Sequence, residues 1–333
     1  MTGGCRSSRR RGSSSRARQP PWQQGRWLAR QRWRWPSRGG SSGDSTMQPS
    51  CGWGTTSNAE YERQEASVER VQVGSVTIVA LVDNVQSYPA TAVYPSAGDL
   101  VREFGRYLDG QGNVALNFGA FLVLDGERRI LVDTGWGPEY QGKLLEELAA
   151  AGIRPDEVDT VVFTHLHGDH TGWNIDRGSG RPLFSRARYL VPKADWEHYA
   201  AQQPPPDSFV RDVQPLEGAG CLELIEGERR LTDSVTTVPT PGHTPGHTSV
   251  AIVSGGERGF ILGDVVLSPI DAERPELENS FDWNHELARA TRLQVMDRLE
   301  AEGALVGASH LPPPGLGRFV RVEGRRLWQA WGG

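Results

Sequence analysis

The run Thr164-His165-Leu166-His167-Gly168-Asp169-His170-Thr171-Gly172 places four potential metal ligands within six residues. Imidazole suits zinc, iron, nickel and copper, and a carboxylate tolerates zinc, iron and manganese, so a mixed His/Asp set predicts a divalent transition metal. Calcium and magnesium fit it badly. His165 and His167 alternate, and project the same way from an extended segment, whereas Asp169 and His170 follow a turn that Gly168 permits. Two pairs aimed differently predict two ions. The bland alternative is a histidine-rich surface tract. With eight histidines in 333 residues, three of them beside an Asp in one hexapeptide is a concentration that chance rarely gives.

Such a loop has to be held by something rigid. Immediately before it, Thr160-Val161-Val162-Phe163 is β-branched and aromatic without charge, and reads as a short strand buried on both faces that delivers the ligands at its end. Further candidates recur in similar places. In residues 238–248 Pro and Gly break a strand-like run and put His243 and His247 on a tight turn. Residues 259–264 form an apolar strand ending in Gly263-Asp264, and residues 304–310 form another ending in His310. Strands are also predicted over 76–83, 118–124 and 129–132, the last two joined as a hairpin through Asp125-Gly126. Helices are predicted over 142–151, with Leu144, Leu145 and Leu148 inward, and over 287–299, with Leu287, Ala290, Leu293, Met296 and Leu299 as the core-facing stripe.

These residues, in this order, resemble the metallo-β-lactamase-fold hydrolase superfamily across roughly residues 68 to 325. Asp133 in Leu131-Val132-Asp133-Thr134-Gly135 matches the first motif, the 165–170 loop the second, His243 the third, Asp264 the fourth and His310 the fifth. The resemblance implies an α/β fold, a four-layer αβ/βα sandwich with the metals at one edge between the sheets. It implies a first metal on His165, His167 and His243, a second on Asp169, His170 and His310, and Asp264 bridging them. The ions would be two divalent transition metals, with Zn2+ ahead of Fe or Mn. A hydroxide between them would attack the substrate, and Asp169 would also serve catalysis by passing a proton to the leaving group. Asp133 and His247 are supporting residues: Asp133 as a carboxylate near the metals or a turn residue, His247 as an orienting or packing partner.

The substrate is less legible, because one metal-hydroxide engine serves many ester-like bonds. Ser309-His310-Leu311-Pro312-Pro313-Pro314-Gly315-Leu316-Gly317 after a long helix resembles the subgroup of lactonases and organophosphate-ester hydrolases. Leu267 stands where many acyl-homoserine lactonases carry a Tyr, three residues after the bridging Asp. Trp136, Trp173, Leu267, Phe281 and Trp283 are candidate pocket walls, with loop packing as their bland reading. The expected function is cleavage of an ester or lactone bond in a small-molecule substrate. The alternatives are a glyoxalase-II-like thioesterase, a phosphotriester hydrolase, or a non-catalytic metal-dependent binding module. The segment 88–113, with Tyr94, Phe104 and Tyr107, is read as a lid or homodimer arm.

Composition bounds the rest. Mean hydropathy is −0.49, and no apolar run approaches the ~18 residues that cross a bilayer, so no membrane partner is expected. Residues 1–62 read as a disordered basic low-complexity segment and residues 63–333 as the hydrolase domain. Residues 1–46 hold 11 Arg and one acidic residue, leaving 25 basic against 40 acidic residues in 47–333, a formal −15. Arg26-Trp27 and Arg32-Trp33-Arg34-Trp35 would suit a nucleic-acid arm; the preferred reading is that translation starts near Met47, with no nucleic-acid partner. Cys5, Cys51 and Cys221 make no disulfide framework, which predicts a cytoplasmic setting with the periplasm left open.

Overall fold

The computed structural model describes residues 68–332, apart from the side chains of 99–101. The basic segment 1–62 lies outside the described residues.

Alternation along the strands decides the layering. In Arg128–Val132, Ile130 and Val132 enter one buried cluster while Leu131 enters another, and residues 78–81 and 120–123 divide in the same way. Side chains two residues apart share a face, so a strand apolar on both faces must be covered on both. The first sheet runs in chain order: β1 (Arg70–Val73), β2 (Val76–Pro89), β3 (Asn113–Asp125), β4 (Arg128–Val132), β5 (Thr160–Val162), β6 (Arg188–Pro192) and β7 (Leu222–Ile225). It is antiparallel up to β4 and parallel from β4 to β7. The second sheet follows with β8 (Arg229–Arg230), β9 (Val235–Pro239), β10 (Thr248–Ser254), β11 (Glu257–Ile261), β12 (Leu305–Gly307), β13 (Leu316–Val322) and β14 (Arg325–Ala330), parallel only between β11 and β12.

Between the sheets lie Ile78, Phe121, Ile130 and Val132 from the first and Val250, Ile252, Ile261 and Leu305 from the second. The helices are α1 (Ala90–Val93), α2 (Leu144–Ala150), α3 (Gly168–Thr171), α4 (Lys193–Ala200), α5 (Gln214–Gly218), α6 (Pro269–Glu273) and α7 (His285–Glu302). Leu144 and Leu148 of α2, Tyr199 of α4 and Leu216 of α5 cover the outer face of the first sheet, and α7 packs on the second at β13. Helix, sheet, sheet, helix is the expected four-layer αβ/βα sandwich. Among the described residues, no helix is long and apolar enough to cross a membrane.

Two expectations change. The α7 stripe is rotated: Ala288, Thr291, Arg292, Met296 and Leu299 are buried, while Leu287, Ala290 and Leu293 are only half-buried. An arginine takes a core position because acceptors await it there. The segment read as a lid or arm is packed into the body, with Tyr94 and Phe104 among Leu267, Ile270 and Leu277. The Tyr94 hydroxyl is 2.8 Å from Ser268 Oγ and donates to Asp271 at 3.0 Å, which ties the segment to α6.

Candidate metal centre

The ends of five strands, β4, β5, β9, β11 and β12, converge at one edge of the sandwich. Asp133 follows β4, the 165–170 loop follows β5, His243 follows β9, Asp264 follows β11 and His310 follows β12. One donor atom each from His165, His167, His243 and Asp264 falls within 4.8 Å of the others, and the same holds for Asp169, His170 and His310. In the first group His167 Nδ1 is 2.9 Å from His165 Nε2 and 3.0 Å from His243 Nε2, which is 3.2 Å from Asp264 Oδ2. In the second, Asp169 Oδ2 is 3.4 Å from both His170 Nε2 and His310 Nε2. Asp264 touches both groups, with Oδ1 at 3.2 Å from His170 Nε2 and Oδ2 at 3.0 Å from His310 Nε2.

Four of the rings are fixed from behind. His170 Nδ1 donates to Asp133 Oδ2 at 2.9 Å, His243 Nδ1 to Asp282 Oδ1 at 3.0 Å, and His310 Nδ1 to the Asn117 carbonyl at 2.6 Å. The Thr164 hydroxyl gives its one hydrogen to Asp133 Oδ2 at 2.7 Å, so His165 Nδ1, 3.0 Å away, donates to that hydroxyl. When these four rings are neutral, the hydrogen is on Nδ1 and the Nε2 lone pair points inward. That is a donor set without hydrogens of its own. His170 Nε2 and Asp264 Oδ1 are buried without any hydrogen-bond partner. Orphaned buried acceptors and inward lone pairs from imidazoles and carboxylates fit a transition-metal ion.

The electrostatics agree. Burial, aided by the neighbouring imidazoles, pushes His167 down to about 3. Burial opposes charge on His170 too, but Asp264, Asp169 and Asp133 outweigh it and hold its pKa well above the usual range. Against burial, His170 and His310 bring Asp169 down to about 2. The carboxylates demand positive charge at the centre.

Asp133 answers the alternatives left open for it by being both at once. Its φ of 62° is left-handed, unusual for a residue with a side chain, and from there its carboxylate takes the Thr164 N–H at 2.7 Å as well as His170. His247 has neither nitrogen free: Nδ1 lies 2.8 Å from Thr240 Oγ1, and Nε2 accepts the Asp264 N–H at 2.9 Å. It holds Asp264 from the backbone side. Gly263, with φ of 59°, has no room for a Cβ, which would lie 2.7 Å from Thr164 Cβ and 2.8 Å from His247 Nε2.

The candidate pocket walls separate. Trp136 stands beside the second group, its ring 4.1 Å from Phe118, which is 5.1 Å edge-on from His310. Phe281 and Trp283 are 47% and 37% exposed and flank His243 in the chain of contacts through Asp282 and the Trp283 N–H to His243 carbonyl bond of 2.9 Å. Leu267 and Trp173 are not walls. Leu267 is 1% exposed, packed under the 88–113 segment, and Trp173 is drawn inward by its Nε1–H bond of 2.8 Å to Asp83.

Sequence reading missed several carboxylates that hold the loops. Buried Asp195, in α4, accepts from Leu166 N at 3.2 Å, Thr244 Oγ1 at 2.8 Å and Gly246 N at 2.6 Å, joining the second-motif loop to the third. Burial pushes it up to about 6 despite those donors. Asp83 accepts from the N–H groups of Trp136, Gly137 and Leu144 at 2.7, 3.3 and 2.8 Å, and so anchors the loop after Asp133. It sits where the β2–β3 register slips between Val82 and Asn84. An Asp inside the apolar run 76–83 was its one visible signal. Asp195 and Asp282 gave none.

The family model for the metallo-beta-lactamase superfamily matches residues 120–302. The lactamase-like protein notP of an Aspergillus species is 31% identical over 187 residues, 56% of this chain and 49% of that protein. An N-acyl homoserine lactonase of Bacillus cereus is 28% identical over 166 residues, 43% of this chain and 60% of that protein. The chain thus spans between about half and three-fifths of the length of these curated relatives. Among solved structures, the hydrolase AbOPH of the beta lactamase superfamily aligns with a TM-score of 0.72 at 26% identity, covering 81% of this chain and 99% of that one.

Proposed function

The chain belongs to the metallo-beta-lactamase superfamily, and from that premise we propose that it is a metal-dependent hydrolase of an ester or lactone bond. The observation that carries the proposal is the pair of adjoining donor groups, His165, His167, His243 and Asp264 beside Asp169, His170 and His310. The likeness to a lactonase supports the bond class. The residues named would hold two divalent ions, with Asp264 within reach of both groups, zinc being our choice because imidazoles and carboxylates suit it. Bound there, such ions supply Lewis acidity toward the substrate oxygen and a water acidic enough to attack at neutral pH.

The chain's own residues do the remaining work. Asp133, Asp282, Thr164 and the Asn117 carbonyl hold the Nδ1 hydrogens and the ring planes, so each Nε2 is already turned inward and ion uptake has only to displace protons from it. Asp169 is the accessible carboxylate of the cluster, its side chain 20% exposed against 3% for Asp264. We assign to it, as an ionised carboxylate, acceptance of the proton released by the attacking water and its transfer to the leaving group. Trp136 and Phe118 beside His310 offer an apolar wall for the body of the substrate.

Metal analysis of one purified preparation, combined with a screen of lactones, aryl esters, thioesters and phosphotriesters, tests the proposal. Two ions per chain and turnover of the lactone or aryl-ester arm are expected. Fewer than two ions, or no hydrolysis in any arm, overturns it; turnover confined to thioesters or phosphotriesters reassigns the bond.

A further inference from the structure

Arg292 lies in the middle of α7 and is 1% exposed. An ionised group so deeply buried costs several kcal/mol in lost hydration unless every donor is met, and an aliphatic side chain would fill the same volume without that cost. Its donors are met in two directions. Nη2 donates to Asp282 Oδ2 at 3.0 Å, while the other oxygen of that carboxylate accepts from His243 Nδ1 at 3.0 Å. Nε donates to the carbonyl of Val265 at 2.8 Å, the residue directly after Asp264, and Nη1 to the carbonyl of Leu277 at 3.0 Å. One rigid guanidinium thus stands behind two donors of the first group that are 21 positions apart in the sequence. The second group has separate supports: His170 rests on Asp133 and His310 on the Asn117 carbonyl.

We infer that Arg292 is a positioning residue that fixes His243 through Asp282 and thereby sets the affinity of the first donor group for its ion, with a smaller effect on the second through the backbone beside the shared Asp264. The inference rests on the metal reading above. Its signature is selectivity, since a cation needed only for packing would weaken both groups together or neither.

The test uses the full chain as Arg292→Met, Arg292→Lys and Asp282→Asn, stripped of metal and titrated with Co2+ by visible absorption and with Zn2+ against a chromogenic chelator. In the unaltered protein two equivalents bind. Arg292→Met weakens one equivalent about 10- to 100-fold and alters its Co2+ band, while the other stays within about threefold. Asp282→Asn weakens the same equivalent through His243 alone, and Arg292→Lys, which restores the charge without the fork, recovers part of the loss. Unchanged affinities, or equal weakening of both equivalents, overturn the inference. If Arg292→Met does not fold, Asp282→Asn decides by the same criterion, because it keeps the volume of the side chain. An unaltered protein that takes up no ion overturns the metal reading itself and this inference with it.

Discussion

Replacing Asp133 by Asn is the sharpest probe of the ring tautomers, because it changes almost no volume and removes one proton acceptor. The amide oxygen can still take the Thr164 N–H now held at 2.7 Å. The amide nitrogen then faces His170 Nδ1, at the place where Asp133 Oδ2 accepts at 2.9 Å. Two donors cannot share that contact, so the neutral imidazole moves its hydrogen to Nε2 and loses the inward lone pair. A buried hydrogen bond to a charged carboxylate contributes about 1.5–3 kcal/mol, and at about 1.4 kcal/mol per decade of affinity this is roughly a 10- to 100-fold weaker second ion. Competition titration with a chromogenic chelator measures it directly, and a thermal melt of the metal-free protein shows whether the fold is intact. The first equivalent should weaken as well, because the Thr164 hydroxyl loses the same acceptor at 2.7 Å and turns its hydrogen toward His165 Nδ1. A second equivalent bound as tightly as before would refute the tautomer argument.

Asp169→Asn should weaken the second ion and cut turnover; full metal occupancy with an unchanged rate removes its proton-transfer role. Gly172→Ala drives a Cβ to 2.1 Å from the Trp136 carbonyl, so about 2–3 kcal/mol of stability and roughly 5–10 °C of Tm should be lost, and a melt within 1 °C of the unaltered protein contradicts the close approach. Asp83→Ala leaves three backbone N–H groups and the Trp173 Nε1–H without their acceptor, a cost of about 3 kcal/mol that urea unfolding reads. Asp195 is raised to about 6 from an ordinary 3.8, so between those values the folded chain binds more protons than the unfolded one, and the stability this group contributes is present below about pH 4 and lost as pH rises through 6. In metal-free protein the urea midpoint should therefore fall relative to Asp195→Asn from pH 4 to pH 7, and parallel profiles would count against it.

The fold and the donor set were readable because each depends on local pattern. Val161 and Val162 announce a doubly buried strand, and ligands at strand ends are adjacent in sequence to the apolar runs that place them. What held those ligands was not readable. Asp195 meets Leu166 across 29 positions and Gly246 across 51, and Asp282 meets His243 across 39. A lone Asp in a polar helix has no periodicity to betray such a contact. The α7 stripe failed for a related reason: a hydrophobicity count puts Arg292 outside, and only the carbonyls and carboxylates waiting at that depth bring it in. Leu267 was misplaced because spacing from Asp264 says where a residue is along the chain and nothing about what covers it.

The two sheets are contiguous halves of the chain, β1 to β7 ending at Ile225 and β8 to β14 beginning at Arg229. Each donor group draws on both: His165, His167, Asp169 and His170 come from the first half, and His243, Asp264 and His310 from the second. Neither half alone owns a complete set, so halves that have folded without docking in register cannot bring either donor group together. A nick between Ile225 and Arg229 would make ion uptake a direct gauge of how well the two fragments find each other.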